Sequence, residues 1–317
     1  SGSQPSPHQD THMSRRLISL ASLLLATLIH NSVALTQDLR DRAVLRLNFD
    51  DPAAPLNDSA AVGKVRDNAS LPTGGTPIQS AFVRNSSGRS LLLDATKGQQ
   101  LVIPSSEDLV RPDAVTISGF FACLHPDSDA TYRSLFAKRT GNEGKPTNYG
   151  INLQPSTDNF QVYVNDGSGY KVAHYSVRAA LGYRRRVHIS ACFDHVDAPA
   201  ADADADADDI RVRLFINGQP VAPSRTVGGL IEGNACWFTD STLTKCVSDT
   251  PLTFGSSFVS GEVTSLICDD LLLFPEALSD ADAKTLFDLS AASSAAEIAA
   301  EKSAARVTLA KIGRAHV

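Results

Sequence analysis

An all-β sandwich of two antiparallel sheets, closed by a short C-terminal helix, is the fold class that this sequence predicts. Residues 210–221 alternate polar and apolar side chains and then turn at Asn217-Gly218, the strongest short signal for a β-hairpin. Residues 269–278 begin with paired carboxylates, continue with apolar side chains and meet Pro275 just before a helix start at Ser279. Short strand-like runs with frequent turn residues fill the region between, which favours a sandwich over a βαβ fold.

Each strand is predicted from an apolar or alternating run bounded by turn residues. The predicted strands cover residues 43–49, 80–83, 90–93, 100–103, 115–124, 134–137, 150–154, 160–164, 171–176, 186–193, 210–216, 252–255 and 262–274. In the run 115–124, Val115, Ile117 and Phe121 share one face, and Thr116 and Ser118 the other. Burial of one large apolar side chain contributes about 1.5–3 kcal/mol, so the inward faces are expected to dominate the folding free energy.

The C-terminal part predicts a helix followed by a helical tail. Ser279 and Asp282 form a capping box ahead of Leu286 and Phe287. The alanine-rich residues 291–310 are interpreted as a helical linker. Residues 312–317, Ile-Gly-Arg-Ala-His-Val, match the translation of a common sequencing-adapter string, ATC GGA AGA GCA CAC GTC, and Lys311 fits its leading AG. We therefore interpret 311–317 as adapter sequence and expect the natural chain to continue; a natural polar C-terminus is the alternative.

The N-terminal part predicts export. Residues 13–34 have the form of a signal peptide: Arg15 and Arg16 supply positive charge, residues 17–29 are an apolar core, and residues 32–34 are a small-x-small cleavage site. An uncleaved membrane anchor is the alternative, although the apolar run is shorter than the roughly 20 residues that span a bilayer. Residues 1–12 are interpreted as an upstream extension. The expected location is therefore secreted, periplasmic or at the cell surface, with no membrane insertion after cleavage.

Charge excludes one class of partner. The formal net charge is -6 and the sequence pI about 5.7, whereas binding to phosphate-rich nucleic acid needs a clustered basic surface. The basic run at residues 184–186 is interpreted as a solvated strand entry. The Asp-Ala repeats of residues 197–209 are interpreted as a mobile loop, with a calcium-binding loop as the weaker alternative because the fixed ligand spacing is missing.

Five cysteines lie in the predicted exported portion, where an oxidising compartment permits disulfides. Cys236 and Cys246 flank a short segment suited to a stapled loop, whose closure contributes roughly 3 kcal/mol, and we predict a disulfide between them. Cys123, Cys192 and Cys268 lie inside apolar strand patterns and are interpreted first as small buried side chains and second as disulfide partners. No spacing of the zinc-binding type occurs.

Several motifs in shared order resemble the laminin G-like, concanavalin A-like superfamily, in particular its bacterial jelly-roll members. The resemblance covers about residues 42–290, within a domain placed at 35–290, and rests on residues 45–50, 90–94 with 101–104, 115–121, 187–194, 214–218 and 269–279. Two departures exist: arginine replaces the usual tryptophan before the strand of His188, and the acidic loop is an insertion. The resemblance implies a two-sheet jelly-roll sandwich.

The resemblance also implies a calcium ion held near the sheet edge by an early loop and by the last strand. The matching positions are Asp67, Asn68, Asp269 and Asp270. Calcium prefers six to eight oxygen ligands, which paired carboxylates beside carbonyl-rich loops supply. In the alternative, one of the two aspartates of the last strand caps a bulge and the other faces water.

The sequence does not predict an enzyme. Related sandwich folds include glucanases with two carboxylates on one strand, but no Glu-x-Asp-x-x-Glu pattern is present, and the adjacent Asp269 and Asp270 point to opposite faces of a strand. His188 and His195 lack a Gly-x-Ser-x-Gly nucleophile elbow. His188 is interpreted as structural.

Two functions of different classes remain. The first is a non-catalytic carbohydrate-binding or adhesion module, in which aromatic rings stack on sugar CH surfaces. Its candidate residues are Tyr149, Tyr163, Tyr170, Tyr175 and Trp237. The second is a structural or protein-binding spacer of a larger cell-surface protein or enzyme, which the aromatic content of 6% favours somewhat. The partner is accordingly a glycan or a cell-surface protein.

Overall fold

The computed structural model describes residues 39–50, 53–65, 67–72, 76–79, 89–126, 128–139, 146–177, 187–196, 209–257 and 261–289. The chain divides into two compact units, Ser1–Arg40 and Asp41–Val317, and the strands among the described residues belong to the second. Both described sheets are antiparallel throughout.

The first sheet, sheet A, has the strand order β14-β15-β11-β10-β5-β17-β3-β2, with β1 also paired to β17 and β12 to β11. Its strands are β1 (Leu45–Leu47), β2 (Thr76–Gln79), β3 (Arg89–Leu93), β5 (Ala114–Cys123), β10 (Val187–His195), β11 (Ile210–Ile216), β12 (Gln219–Val221), β14 (Leu230–Glu232), β15 (Ala235–Phe238) and β17 (Leu266–Phe274). The long strand β17 pairs with β5 along one edge and with β3 and then β1 along the other.

The second sheet, sheet B, has the strand order β13-β9-β8-β7-β6-β16-β4. Its strands are β4 (Leu101–Ile103), β6 (Arg133–Arg139), β7 (Thr147–Gln154), β8 (Asn159–Asn165), β9 (Tyr170–Ser176), β13 (Arg225–Val227) and β16 (Leu252–Phe254). Strands β6 to β9 follow one another in sequence and in space, so the middle of this sheet is a meander. Two short 3₁₀ helices, Ala95–Lys97 and Pro155–Thr157, connect strands.

The hydrophobic core lies between the two sheets. Val115, Ile117 and Phe121 of β5 point into it, as the alternation predicted. Phe121 meets Phe136 and Phe254 of sheet B, with ring centroids 6.2 and 6.3 Å away. Aromatic contacts of this kind stabilise by about 0.5–1.5 kcal/mol beyond their buried area.

The C-terminal helix, α1 (280–289), packs on the outer face of sheet A. Thr116, on that face, donates from Oγ1 to the carbonyl of Glu276 (2.8 Å) and accepts from the N–H of Leu278 (3.0 Å). The ring of Phe287 lies 5.9 Å from that of His188. The face that alternation marks as polar is therefore buried by the helix instead of facing water.

The hairpin predicted at Asn217-Gly218 is confirmed. Both residues have positive φ, 50° and 71°, and Ile216 pairs with Gln219 across a two-residue turn. Positive φ at both central positions gives a turn whose twist matches that of the flanking strands. A Cβ on Gly218 would lie 2.9 Å from the Cβ of Phe287, so this glycine also permits the close approach of α1.

The predicted fold class is confirmed, although sequence alternation missed several strands. The two-sheet antiparallel sandwich and its short C-terminal helix are present. The strands β2, β13, β14 and β15 were not predicted, because each has only three or four residues and no complete alternating period, whereas β12 is the second strand of the predicted hairpin.

Several predicted segments lie outside the described residues. They are the upstream extension 1–12, the signal peptide 13–34, the strand 80–83, the basic run 184–186, most of the acidic loop 197–209, the tail 291–310 and the adapter-like 311–317. Among the residues that the structure describes, no helix is both long and apolar enough to cross a membrane.

Candidate functional site

The outer face of sheet B carries a row of polar side chains next to aromatic ones. Register places Asn152 of β7, Gln161 of β8, His174 of β9 and Arg225 of β13 in one cross-strand row. Residues directly opposite each other in an antiparallel pair share a face of the sheet. The neighbouring inward positions, such as Ile151 in β7, belong to the core, so this row points away from it.

A concave pocket of about 530 Å³ lies on this face. Its lining combines an ion pair, two amides, two phenols and one aliphatic side chain: Arg139, Asn152, Gln161, Tyr163, Tyr170, Val172 and Glu262. We call these seven residues the outer-face site. Pockets for small ligands usually measure about 300–1,000 Å³. This pocket falls in that size range, but its lining is mainly polar, with Val172 as its one aliphatic side chain.

Two tyrosines and one arginine form the aromatic part of the outer-face site. The rings of Tyr163 and Tyr170 meet edge to face, with centroids 5.7 Å apart. The guanidinium carbon of Arg139 lies 4.8 Å from the Tyr170 centroid and 5.7 Å from the Tyr163 centroid. A cation at this distance over a ring contributes about 0.5–2 kcal/mol, more where water is excluded. The three side chains therefore hold one another in place.

Arg139 is also paired with Glu262. Its Nη1 lies 2.8 Å from Oε2 of the carboxylate, and the arginine is only 6% exposed. The same Oε2 accepts a hydrogen bond from Ser257 Oγ. Burial favours the uncharged guanidine, but Tyr163 and Glu262 outweigh burial and raise the pKa of Arg139. The site thus contains one positive and one negative charge in direct contact.

A glycine makes room for Tyr163. Gly150 of β7 lies opposite Tyr163 of β8, and a Cβ at position 150 would be 2.5 Å from Cζ of that ring. The ring therefore lies across the backbone of β7, where its hydroxyl reaches Oδ1 of Asn152 at 3.4 Å. Burial raises the pKa of Tyr163, which keeps the phenol protonated at neutral pH.

Of the predicted aromatic candidates, the structure brings only Tyr163 and Tyr170 together at this site. Tyr149 and Tyr175 point into the core, where their hydroxyls donate to the carbonyls of Leu109 (3.0 Å) and Val212 (3.4 Å). Both are fully buried, so the interpretation of these two as ligand-stacking rings is wrong. The alternation of each strand already indicated this burial, since Tyr149 and Tyr175 are in phase with the inward apolar residues of their strands.

Trp237 lies away from the outer-face site, on β15 of sheet A. Its neighbours in sequence, Cys236 and Phe238, point into the core, while Trp237 packs with Ala235 and Leu230. It is 7% exposed, and its Nε1 has no hydrogen-bond partner among the described residues. Its ring is therefore covered by its own sheet edge, and it does not join Tyr163 and Tyr170.

The four predicted calcium ligands do not converge. Asn68 Oδ1 accepts the N–H of Asp58 (2.9 Å), and the carboxylate of Asp269 accepts from the N–H of Asp270 (2.9 Å) and from Ser90 Oγ (3.1 Å). No group of three or more His, Cys, Asp or Glu side chains able to hold a metal ion occurs among the described residues. These residues do not fit a calcium ion at the predicted position.

The carboxylates on both sides of the predicted calcium site have structural roles instead. Asp67 is buried beside Asp58 and Asp108, and burial raises its pKa. Asp270 has a positive φ of 49° at a register shift of β17, and Asp269 bonds its N–H. This arrangement matches the alternative to a calcium site, in which one of the two aspartates of the last strand caps a β-bulge. The bulge keeps Leu271 and Leu273 directed into the core.

The predicted disulfide between Cys236 and Cys246 is not present; all five cysteines are thiols. Cys236 Sγ lies 3.1 Å from Oγ1 of Thr226, and both cysteines are part of the hydrophobic core. Burial raises the pKa of Cys236 to about 11 and that of Cys246 to about 12. The sequence spacing of the two cysteines suited a disulfide, but each side chain instead packs in the core as a small apolar group.

His188 has the structural role that the sequence suggested. It is 1% exposed, its Nε2 lies 3.0 Å from Ser118 Oγ, and Ser118 in turn contacts Ser190 Oγ at 2.9 Å. The ring of Phe120 meets the imidazole at 4.9 Å. This network lies beneath α1 and on the sheet opposite the outer-face site.

Sequence reasoning missed five members of the outer-face site: Arg139, Asn152, Gln161, Val172 and Glu262. A signal existed for two of them, since the amides of Asn152 and Gln161 alternate with core residues of adjacent predicted strands. No local signal marks Arg139 or Glu262. They meet across 123 residues of sequence, after a register shift between Lys138 and Arg139.

Comparison with known proteins supports the fold and leaves the family open. No protein-family model and no curated protein matches this sequence. Solved structures that resemble it include three binding domains. They are the binding domain of Paraclostridial Mosquitocidal Protein 1 (TM-score 0.55, 14% identity, 78% of this chain and 52% of that chain), that of botulinum neurotoxin serotype D/C VPI 5993 (0.54, 12%, 79% and 52%) and that of botulinum neurotoxin serotype C1 (0.53, 12%, 78% and 52%).

These neighbours are themselves β-sandwich binding domains, and the chain spans about half of their length. At such identities the likeness is one of fold alone. It is consistent with a jelly-roll sandwich, while membership of the laminin G-like, concanavalin A-like superfamily stays a prediction.

Proposed function

We propose that this protein is a non-catalytic binding module whose outer-face site binds a glycan. The observation that carries the proposal is the pocket of about 530 Å³, in which the part-exposed Tyr170 and Val172 stand beside the amides of Asn152 and Gln161. Sugars present apolar CH faces flanked by hydroxyls. An aromatic ring beside groups that both donate and accept hydrogen bonds is complementary to that surface.

The comparisons support binding in general terms. The similar solved structures include binding domains of botulinum neurotoxins, one of them named as a receptor binding domain, and cell entry of botulinum neurotoxin type C is described as dependent upon interaction with two ganglioside molecules. Because proteins with a β-sandwich fold have many different functions, the proposal of a glycan ligand depends on the outer-face site and not on the fold.

The test is a glycan array followed by calorimetric titration of the glycans that bind. Tyr170→Ala should weaken binding roughly five- to thirtyfold, because loss of one stacking ring, which Arg139 supports, removes about 1–2 kcal/mol of contact. Tyr132→Ala, which removes a tyrosine outside the site, is the matched control and should bind like the parent protein. Equal binding by Tyr170→Ala and the parent would contradict the proposed site.

A second candidate is protein binding through the neighbouring sheet edges. β13 ends sheet B and β14 ends sheet A, and the side chains of Val227 and Ile231 on these edge strands are 50% and 39% exposed. Exposed edge strands with apolar side chains can pair with an extended segment of a partner protein. A Val227→Lys, Ile231→Lys variant that loses a cell-surface partner while keeping glycan binding would favour this function.

We further propose that the module works outside the cytoplasm. The support is the signal-peptide pattern of residues 13–34. N-terminal sequencing of the protein recovered from the culture medium or periplasm, expected to begin near Leu35, tests it.

A further inference from the structure

We infer that the outer-face site selects uncharged glycans and discriminates against those carrying carboxylate or sulfate groups. The inference rests on the proposed function, since it names the class of glycan that the same site takes. Its basis is the way in which the single positive charge of the site, on Arg139, is already used within the protein.

The guanidinium of Arg139 has partners on its edge and on its faces. Its Nη1 lies 2.8 Å from Oε2 of Glu262, and its carbon lies 4.8 Å from the Tyr170 centroid and 5.7 Å from that of Tyr163. Arginines that recognise anionic ligands present their donor fork to the ligand. Here Nη1 is already paired with the carboxylate of Glu262 and the guanidinium lies over two tyrosine rings, so we assign the arginine to positioning the rings.

The rest of the lining carries no formal charge. Asn152, Gln161, Tyr163, Tyr170 and Val172 supply amide, hydroxyl and apolar surface, so the seven residues sum to zero charge. The next cation along the polar row is Arg225, whose Nη2 lies 3.0 Å from Nε2 of His174. Its side chain is thus directed at the imidazole of His174, and its strand β13 lies three strands away from the strand β7 of Asn152.

Hydrogen-bond chemistry favours a neutral polyol in such a pocket. A sugar hydroxyl donates and accepts, as do the side-chain amides and phenols that face it. A carboxylate or sulfate only accepts, and in this pocket it would lie close to the carboxylate of Glu262, while Arg139, the cation among the seven described lining residues, is already paired. Juxtaposition of like charges is a common means by which binding sites exclude wrong partners.

The experiment compares pairs of glycans that differ only in the terminal sugar. One member ends in a neutral hexose, and the other ends in a hexuronic acid or a sialic acid. The parent protein should bind the neutral members at least tenfold more tightly. Glu262→Gln keeps the side-chain shape, removes the negative charge and leaves Arg139 uncompensated, so it should gain at least tenfold affinity for acidic members. That gain should shrink as salt is raised from about 50 to 500 mM, since screening weakens charge attraction.

Glu107→Gln is the matched control, because it removes one negative charge at a side chain that is 60% exposed and paired with Lys64 outside the site. It should leave the preference unchanged. Preferential binding of acidic glycans by the parent would overturn the inference while leaving the proposed function intact. Failure of the parent to bind any glycan would overturn both. The parent's own preference needs no variant, so misfolding of Glu262→Gln would not remove the test.

Discussion

Lys138 is fully buried in β6, and this leads to a specific prediction about how stability depends on pH. Its Nζ donates to Ser105 Oγ at 2.7 Å and to the carbonyl of Thr250 at 2.5 Å, both neutral acceptors. Burial is the largest influence and lowers the pKa of this lysine from 10.5 to about 8, against the opposing effect of Asp249 and Asp67.

The size and sign of the effect follow from linkage between protonation and folding. Between pH 8 and 10.5 the unfolded chain retains the lysine proton and the folded chain has lost it, so stability conferred through this group rises with pH over that window. Each unit of pKa difference corresponds to about 1.4 kcal/mol, and the whole shift therefore to about 3 kcal/mol. Below pH 8 both states are protonated and the contribution is constant.

Lys138→Met keeps the length of the side chain and removes the titrating group. We expect the free energy of unfolding of the parent, measured by urea denaturation, to gain about 3 kcal/mol relative to Lys138→Met as the pH is raised from 7.5 to 10.5. Buried thiols and phenols titrate in both proteins, so the difference between them isolates the lysine. Lys245→Met, at an exposed position, is the control. Parallel profiles for the parent and Lys138→Met would refute the reasoning.

Three further predictions concern the helix, the thiols and the metal. Leu286→Ala should reduce the free energy of unfolding by about 2–5 kcal/mol, because this side chain of α1 is fully buried. Lys284→Ala, on the exposed side of α1, should change it little. Equal urea midpoints for the two variants would contradict the packing of α1. Thiol titration should detect five thiols in denaturant and react slowly in the native protein, because burial raises the pKa of these thiols; recovery of only three in denaturant would restore the predicted disulfide. Calcium or a chelator should leave the melting temperature unchanged, since the proposed ligands do not converge, and an upward shift that Asp67→Ala abolishes would show otherwise.

Much of the outer-face site was out of reach of sequence reasoning for a geometric reason. Tyr163 and Tyr149 look alike in sequence, as tyrosines within alternating runs. Alternation separates them, since Tyr149 is in phase with the inward Ile151 and Tyr163 is not, but which residues Tyr163 meets is fixed only when β7 and β8 pair. This pairing also explains Gly150, because the ring of Tyr163 lies where a Cβ at position 150 would be.

The sequence by itself determined the two-sheet sandwich, the turn at Asn217-Gly218 and the short helix after Ser279, because alternation, turn conformation and capping are local properties that neighbouring residues set. Only the tertiary structure decided which polar residues meet. Arg139 and Glu262 come together across the fold, while Asp67 and the paired aspartates of β17 do not. Long-range pairing depends on strand order and register, and these follow from the burial of all the strands together rather than from any one segment.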